Sequence, residues 1–233
     1  MSKQNKASLE SQSYNQENEM AALAAAMSDS SRMKILCALM DGKAWTATEL
    51  SAIAEVAAST TSSHLSRLLK ANLVTCISQG RHRYFRLYDH RIASLLENMM
   101  GVTFQVNNSS RSKVPKELRQ ARTCYDHLAG EVAVKLYDSF VQNNWINKDG
   151  HNLTTLGKEK FLQLGISLEN KTKRKVCCPC LDWSERQYHI GGNLGAALLN
   201  YFENKRWINR ISGYREVVIT KEGYEALSKH FLI

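Results

Sequence analysis

The chain contains no apolar run long enough to span a membrane. Its most apolar stretch near the start is MAALAAAM at residues 20–27, well short of the roughly 20 residues that a membrane helix needs. The same region lacks the cationic flank and the cleavage pattern of a signal peptide. We therefore expect a cytoplasmic protein without a membrane partner.

The sequence also lacks the short motifs of common catalytic sites. It has no Gly-rich phosphate loop, no nucleophile elbow and no HExxH, so the corresponding enzyme classes have no support. Cys124 and His127 are three residues apart, but this helical spacing is a common coincidence and supplies no oxyanion donor. We predict that the chain is not an enzyme.

Acidic residues are outnumbered by basic ones. The 233 residues include 31 Lys and Arg against 22 Asp and Glu, a formal net charge of +9. This excess favours a polyanionic partner, with a solvated basic surface as the alternative. The length and a hydrophobic fraction of 43% allow one large or two small domains. Six cysteines in such a chain are more typical of reduced thiols, metal ligands or redox switches than of a disulfide scaffold.

A helix with one polar face is predicted after Ser59. Leu65, Leu68 and Leu69 lie at helical spacing and should bury one face. The side chains expected on the outer face are Thr60, Ser62, Ser63, Ser66, Arg67 and Lys70. Hydroxyls and cations on one helix face suit a nucleic-acid groove.

A basic β-hairpin is predicted directly after this helix. LVTCIS at residues 73–78 turns at Gln79-Gly80 into RHRYFRLY. The basic side chains at or near its tip are Arg81, His82, Arg83 and Arg86. Residues 58–91 hold six Lys or Arg and the single acid Asp89, the charge balance that phosphates favour. A polar-faced helix followed by a basic hairpin is the winged-helix arrangement.

Helices are predicted on both sides of this segment. Asp29 or Ser30 can cap a helix that Gly42 ends, and Thr46 or Thr48 can cap the next. That helix and the polar-faced one form a helix-turn-helix, whose second helix enters the major groove. An Ala-rich first helix, 19–27, and the apolar sequence HRIASLLENMMG at residues 90–101 are the candidate homodimer face.

These strings resemble one protein family. SDSSRMKILCALMDG, TATELSAIAEVAASTTSSHLSRLLKANLV and GRHRYFRL are similar to the ArsR/SmtB family of winged-helix repressors, which are dimers that leave their operator when an inducer binds. The resemblance implies a reading helix and a wing in this chain. Its reading-helix residues would be Ser59, Thr60, Thr61, Ser62, Ser63 and Arg67, and its wing residues Arg81 and Arg83.

The usual metal sites of this family cannot be carried over. LSAIAEV lacks the Cys-Val-Cys of the arsenic site, and Asp89-His90 lacks the later His partners of the zinc site. ARTCYDHLAG and CLDWSERQYHIGGNLGAALL resemble a subgroup with an extended C-terminal region. With them the resemblance covers nearly the whole chain, although it implies no particular inducer.

The fold class that follows is mainly α with small β-hairpins. We expect a disordered tail at residues 1–19, a winged helix-turn-helix domain at 20–100, a polar linker at 101–113 and a C-terminal domain at 114–233. The C-terminal domain contains an internal repeat of two helix-hairpin-helix halves. The matched pairs are Trp145 with Trp207, Leu153-Thr154 with Ile219-Thr220, Gly157 with Gly223, and Cys124/Asp126 with Cys180/Asp182.

The densest chemical cluster is VCCPCLDW at residues 176–183. Cys177, Cys178 and Cys180, with Cys124 from the first half, are candidate ligands for zinc or another thiophilic ion, or candidates for a regulatory disulfide. Packing of Cys124 and Cys180 is the structural alternative. The cations of KTKRK should lower the thiol pKa of Cys177 and Cys178, which favours these two for sensing.

Other side chains have ordinary explanations. Cys37 and Cys76 fall on apolar-patterned positions and should pack in a core, and His64 should pack rather than read a base. His127 is a candidate ligand with Cys124 and Asp126, but the more ordinary expectation is a surface His beside a helix-start hydrogen bond by Asp126. The cations between Arg111 and Arg122 fit a solvated helix face as readily as an extension of the DNA-binding surface. Trp145, Trp183 and Trp207 should fill the C-terminal core, with a cleft between the two halves as a candidate effector pocket.

The sequence therefore predicts a DNA-binding transcriptional repressor released from double-stranded operator DNA by an effector. Its cofactor is unknown, with zinc or a thiophilic metal or metalloid as the candidate. Two alternatives stay open: a DNA-binding activator or architectural protein with a structural C-terminal domain, and a thiol-dependent enzyme or metal carrier.

Overall fold

The computed structural model describes residues 16–80, 82–106, 115–166, 168, 174–211 and 214–233. The chain divides into two compact units, residues 1–92 and 93–233. Within the described residues, no helix combines the length and apolar character needed to cross a membrane.

The first unit is a winged helix-turn-helix. Its helices are α1 (16–27), α2 (Ser30–Ala38), the 3-10 turn Leu39–Asp41, α3 (Ala47–Ala54) and α4 (Ala58–Lys70). Its strands are β1 (Trp45–Thr46), β2 (Val74–Gln79) and β3 (His82–Leu87), which form an antiparallel sheet in the order β1-β3-β2. The predicted helix-turn-helix and hairpin are therefore confirmed.

Local sequence signals explain where these helices begin and end. The Asp29 side chain caps α2 by accepting the backbone N–H of Arg32, and Gly42 ends the following turn with a φ of 77°. Thr46 and Glu49 form a reciprocal capping box at the start of α3. The Arg32 side chain is buried and donates to the carbonyl oxygens of Ala25 and Ala26, which fixes α1 against the start of α2.

A long helix runs through the boundary between the two units. Helix α5 spans His90–Val106, so residues 101–106 of the expected linker are helical, and the rest of that linker, 107–113, lies outside the described residues. Buried Glu97 pairs with Arg215, whose Nη1 is 3.3 Å from the Met100 sulfur. These contacts explain why the C-terminal part of α5 belongs to the second unit. Residues 16–19, expected in the disordered tail, are helical.

The second unit alternates short hairpins with helices. Its helices are α6 (Lys116–Gln120), α7 (Glu131–Gln142), α8 (Thr155–Gln163), α9 (Gly192–Asn204) and α10 (Lys221–Phe231). Its strands are β4 (Arg122–Cys124), β5 (His127–Ala129), β6 (Cys178–Leu181), β7 (Tyr188–Gly191), β8 (Ile208–Arg210) and β9 (Val217–Ile219). The strands pair as three antiparallel hairpins, β4-β5, β6-β7 and β8-β9.

The helices of this unit pack across its hairpins. Helix α7 follows β5 in the chain but packs against β7, and α9 follows β7 but packs against β5. An aromatic core fills the interior beneath them. Its main members are Phe140, Trp145, Phe161, Phe202 and Phe231. Trp207 packs against this core, as expected from the sequence, whereas the Trp183 ring lies under the Arg122 guanidinium at 4.5 Å.

Helices α8 and α10 begin in the same way. Thr154 caps α8 by accepting the Gly157 N–H, and its own N–H donates to the Trp145 carbonyl. Thr220 caps α10 by accepting the Gly223 N–H, and its own N–H donates to the Trp207 carbonyl. Each glycine therefore allows a helix to approach the backbone of the preceding hairpin arm.

We predict that this close approach makes Gly157 intolerant of a side chain. A Cβ there would lie 1.9 Å from the Trp145 carbonyl oxygen, so backbone must shift in Gly157→Ala. We expect a loss of about 1–3 kcal/mol in the free energy of unfolding, measured by urea titration followed by Trp fluorescence. Gly101→Ala is the matched control, because its Cβ would meet only a side-chain atom at 3.9 Å. Equal stability of the two variants would contradict the prediction.

Candidate DNA interface and cysteine-histidine cluster

The outer face of α4 is a continuous polar surface. Its exposed side chains are Ser59, Thr60, Ser62, Ser63, Ser66, Arg67 and Lys70, and its buried ones are Thr61, Leu65 and Leu68. Thr61, which the family resemblance implied at the reading helix, lies on the inner face. Its Oγ1 donates to the Ala57 carbonyl at 3.2 Å, so this hydroxyl is used inside the protein.

The first turn of α4 offers backbone donors. Within the described residues, Ala57 supplies no side-chain cap to the helix start, and the first turn contains no acid. The N–H groups of that turn therefore have no capping side chain or acidic residue from the turn itself competing for them. Such a helix start, with its partial positive charge, suits a phosphate.

The wing brings further cations to this surface. His82, Arg83 and Arg86 are exposed on β3, while Arg81 lies outside the described residues. The Arg83 guanidinium lies over the Phe85 ring at 5.4 Å, and its Nε donates to the Cys76 sulfur at 3.4 Å. These contacts hold Arg83 on one side of the hairpin.

A groove separates α4 from the wing. It has a volume of about 350 Å³. Its lining residues are Ala47, Ser62, Leu65, Ser66, Leu69, Arg83 and Phe85. Hydroxyls from the helix and a guanidinium from the wing therefore lie on one shared surface.

His64 has a structural role within the first unit. Its Nδ1 is 3.4 Å from Arg32 Nη1 and its Nε2 is 3.6 Å from Asp29 Oδ1. These contacts join α4 to the start of α2. The expectation that His64 packs rather than reads a base agrees with this placement.

The second unit brings two cysteines and two histidines together. One candidate ligand atom from each of Cys124, His127, Cys180 and His189 lies within 4.8 Å of the other three. The two sulfur atoms are 3.9 Å apart. His127 is only 7% exposed and His189 is fully buried, so the expectation that His127 is a surface side chain is wrong.

Hairpin register explains why these four residues meet. Cys124 is paired with His127 across the β4-β5 hairpin, and Cys180 is paired with His189 across β6-β7. Each hairpin thus presents one thiol beside one imidazole. Helix α9 comes close to this group, since a Cβ at Gly195 would lie 2.9 Å from the His127 Cβ.

Each imidazole lies against a carboxylate. His127 Nδ1 is 3.2 Å from Asp126 Oδ1, and His189 Nδ1 is 3.1 Å from Asp182 Oδ2. Although burial opposes the shift, Arg174 and His127 hold the pKa of Asp126 well below its usual range. Burial likewise opposes the shift at Asp182, where His189 and Arg122 lower the pKa strongly. Both carboxyl groups are therefore anionic and can orient the imidazoles.

The remaining ring nitrogen of each imidazole is Nε2. The Nε2 atoms of His127 and His189 are both buried, and neither has a hydrogen-bond partner among the described residues; His189 Nδ1, at its ion-pair distance from Asp182, also makes no hydrogen bond there. The nearby Cys180 thiol and burial raise the pKa of the Cys124 thiol above its usual range. The cluster thus contains two imidazole nitrogens and two sulfurs in a small buried volume.

A buried ion pair supports the second hairpin. Arg122 and Asp182 are 1% and 0% exposed, with Arg122 Nη2 2.7 Å from Asp182 Oδ1. Asp182 also accepts the Gly130 N–H at 2.7 Å and the Ser184 N–H at 3.0 Å. Arg122 was expected on a solvated helix face, and this expectation is wrong because strand β4 turns its side chain into the interior.

The structure does not bring the four predicted cysteines together. Cys124 and Cys180 meet, whereas Cys177 lies in the apolar core and Cys178 faces Gly191 in the hairpin register. Burial raises the pKa of Cys177 to about 12, and the nearby Cys178 contributes to this rise to a lesser extent. The expected lowering of the Cys177 pKa by neighbouring cations is therefore wrong. Cys37 and Cys76 are half-buried in the first unit.

Sequence reasoning missed His189, although a signal for it is present. HLAG at residues 127–130 corresponds to HIGG at residues 189–192 once the six residues 183–188 are treated as an insertion. Gly130 and Gly192, the last residues of these strings, both have positive φ, 93° and 76°. A gapless alignment instead places Trp183 opposite His127.

The fold and the polar surface of α4 define the class of winged helix-turn-helix DNA-binding proteins. Residues 29–75 match the family described as bacterial regulatory protein, arsR family. The chain is 41% identical over 218 residues to YdfF of Bacillus subtilis (strain 168), described as an uncharacterized HTH-type transcriptional regulator, covering 91% of this chain and 96% of that protein. The chain belongs to the ArsR family of HTH-type transcriptional regulators and is a DNA-binding regulator.

Two solved structures are similar to part of the chain. Reduced HlyU from Vibrio cholerae N16961 is 23% identical with a TM-score of 0.35, over 41% of this chain and 96% of that one. The homodimeric winged helix-turn-helix domain of Mb0332 from Mycobacterium bovis, a possible ArsR-family regulator by its description, is 20% identical with a TM-score of 0.37. This match extends over 45% of the present chain and 89% of the Mb0332 domain.

We predict that the buried ion pair is essential to the second unit. In Asp182→Asn the Arg122 charge stays buried without its carboxylate, which should lower the free energy of unfolding by about 3–5 kcal/mol. Urea titration measures this loss. Glu131→Gln, which removes an exposed pair with Lys135 at 2.8 Å, should change stability by less than about 1 kcal/mol. Similar stabilities for both variants would show that the pair is dispensable.

The same substitution should reduce the acid sensitivity of the protein. Because the folded-state pKa of Asp182 is lowered, its stabilising contribution is present above the unfolded-state value of about 3.9 and is lost as the pH falls below it. The stability of Asp182→Asn should therefore decline less steeply than wild type below about pH 5.

Proposed function

We propose that the chain is a transcriptional repressor that binds double-stranded operator DNA through α4 and the wing. The observation that carries this proposal is the shared groove lined by Ser62, Ser66 and Arg83. A DNA duplex lying along this groove would meet helix hydroxyls and a wing guanidinium at the same time. The positive first turn of α4 adds backbone donors for a phosphate.

The exposed residues fall into two proposed roles. Those that face the major groove would set sequence preference through contacts with base edges, and the remaining cations would bind phosphates. The proposed base-facing set is Ser59, Thr60, Ser62, Ser63, Ser66 and Arg67. The proposed phosphate-binding set is Lys70, Arg81, His82, Arg83 and Arg86. Thr61 is left out of both sets because its side chain is buried.

The repressor is proposed to act as a homodimer. Two regions carry the apolar exposure that a second copy could cover. Met20 on α1 is 63% exposed, and Val102 on α5 is 61% exposed. Two copies would present two reading helices, which matches the two-fold symmetry of operators read by helix-turn-helix dimers.

Control by an effector is proposed to reside in the second unit. Its two halves, each containing a helix, a hairpin arm and a capped helix, are proposed to be a duplicated sensing domain. The matching caps at Thr154 and Thr220 support the duplication. The thiols best placed for a metal, metalloid or thiol-reactive effector are Cys124 and Cys180, because their sulfur atoms are 3.9 Å apart.

We predict that the wing supplies general affinity. Arg83→Ala combined with Arg86→Ala should weaken binding to all duplexes. The plot of log affinity against log salt should flatten by about 0.9 for each DNA phosphate that the variant no longer neutralises. Lys135→Ala, which removes one cation from the second unit, is the control. An unchanged salt slope in the arginine variant would refute the wing assignment.

Arg67→Ala should instead reduce discrimination between operator and random duplex. The expected loss is about 1–3 kcal/mol of specificity if Arg67 contacts a base edge. Fluorescence anisotropy with both duplexes at several salt concentrations measures it. A uniform loss on both duplexes would assign Arg67 to a phosphate.

We predict that a charge on α5 disrupts the homodimer. Val102→Glu should shift the protein from dimer to monomer in sedimentation velocity, because a carboxylate in an apolar interface loses its hydration. Leu162→Glu on α8 is the control, since Leu162 is also an exposed apolar residue, at 72%, but lies outside the proposed face. If Leu162→Glu dissociates the dimer and Val102→Glu does not, the interface includes α8 rather than α5.

A further inference from the structure

We propose that Cys124, His127, Cys180 and His189 form a tetrahedral site for a zinc-class divalent ion that joins the two N-terminal hairpins of the second unit. This inference deepens the proposed effector site at Cys124 and Cys180 by naming its ligands and its ion, and it does not depend on the proposed repression of an operator. It keeps Cys124 and Cys180 from the predicted ligand set and replaces Cys177 and Cys178 by His127 and His189.

The sulfur separation fits a shared metal ion. Two thiolates bound to one tetrahedral zinc at about 2.3 Å lie about 3.8 Å apart, the edge length of that tetrahedron. The observed distance between the Cys124 and Cys180 sulfurs is 3.9 Å. A disulfide requires about 2.05 Å, so the present arrangement is that of two separate thiols.

The histidines are oriented as metal ligands usually are. A metal-bound imidazole commonly donates its other N–H to a carboxylate, which fixes the ring. In this chain His127 Nδ1 makes a 3.2 Å hydrogen-bond contact with Asp126, and His189 Nδ1 lies at an ion-pair distance of 3.1 Å from Asp182, although its hydrogen-bond geometry is not met. Their Nε2 atoms, buried and without a partner among the described residues, are left as the coordinating atoms.

The carboxylates are themselves held in place. Arg174 Nη2 donates to Asp126 Oδ1 at 2.9 Å, and Arg122 Nη2 donates to Asp182 Oδ1 at 2.7 Å. Each hairpin therefore presents a cysteine, a histidine paired with it and an aspartate behind the histidine, and the arginine behind each aspartate comes from the other hairpin or from beside it. A chance meeting of polar residues would not be expected to repeat this order.

The donor set selects the class of ion. Two thiolates and two imidazoles in tetrahedral geometry favour zinc over the hard ions calcium and magnesium, which prefer oxygen. Four protein ligands close the coordination shell, so a structural role fits better than a catalytic one. Binding would release the two thiol protons and hold β4-β5 against β6-β7.

The test begins with protein purified under reducing conditions without chelator. Elemental analysis should find about one zinc per chain, as for one closed four-ligand site. After exchange for Co²⁺, the absorption spectrum should show the visible bands of a tetrahedral thiolate-bound ion. Absence of zinc together with failure to bind Co²⁺ would overturn the proposal, as would a Cys124–Cys180 disulfide in the reduced preparation.

Matched variants identify the ligands. Cys180→Ser and His189→Asn should lose the ion and the Co²⁺ spectrum. Cys178→Ser, two residues away on the same strand, and His151→Asn, an exposed histidine, should keep both. Loss of the ion in Cys178→Ser, or its retention in Cys180→Ser, would overturn the assignment.

Wild-type protein and a milder variant cover the case in which a ligand variant does not fold. Removing the ion from wild type with a chelator should expose two additional reactive thiols and lower the thermal midpoint of the second unit. Asp126→Asn keeps all four ligands but removes one supporting carboxylate, and should weaken metal affinity about 10- to 100-fold. Unchanged thiol reactivity and unchanged affinity would each contradict the site.

Discussion

The second unit depends on one buried ion pair, between Arg122 and Asp182. Neither side chain reaches solvent, and removing two charges from water costs free energy that close pairing and further hydrogen bonds must offset. Asp182 meets this requirement by also accepting backbone donors at Gly130 and Ser184. One carboxylate thus connects strand β4, the start of α7 and the turn after β6. An alternative packing of the two hairpins would leave at least one buried charge without a partner.

The position of the cysteine-histidine cluster follows from this pair. Asp182 also contacts the imidazole of His189, so the charge that fixes the hairpins also orients a candidate ligand. Helices α7 and α9 then pack across the opposite hairpins, and Gly195 lets α9 come close to His127. Geometry at the cluster is therefore set by the interior of the unit rather than by a flexible loop.

The first unit could be predicted from sequence because its determinants are local. Caps, a glycine stop and helical spacing place α2 to α4, and a turn at Gln79-Gly80 places the wing. The same spacing could also have placed Thr61 on the buried face of α4, because Thr61 lies four residues before Leu65 and therefore shares its helix face. Part of the cluster could also be predicted, because the internal repeat matches Cys124 with Cys180 although they are 56 residues apart in the chain. An insertion at residues 183–188, however, hides the match between HLAG and HIGG.

The cysteines show how burial can outweigh local charge. The cations near residue 175 favour a thiolate, but charges in solvent are screened over about 8–10 Å. Cys177 is fully buried, and loss of hydration acts on its sulfur directly, so burial prevails and its pKa rises. A dense run of cysteines therefore does not identify the reactive ones. What distinguishes Cys124 and Cys180 is that the fold places each beside an imidazole whose remaining nitrogen has no other partner among the described residues.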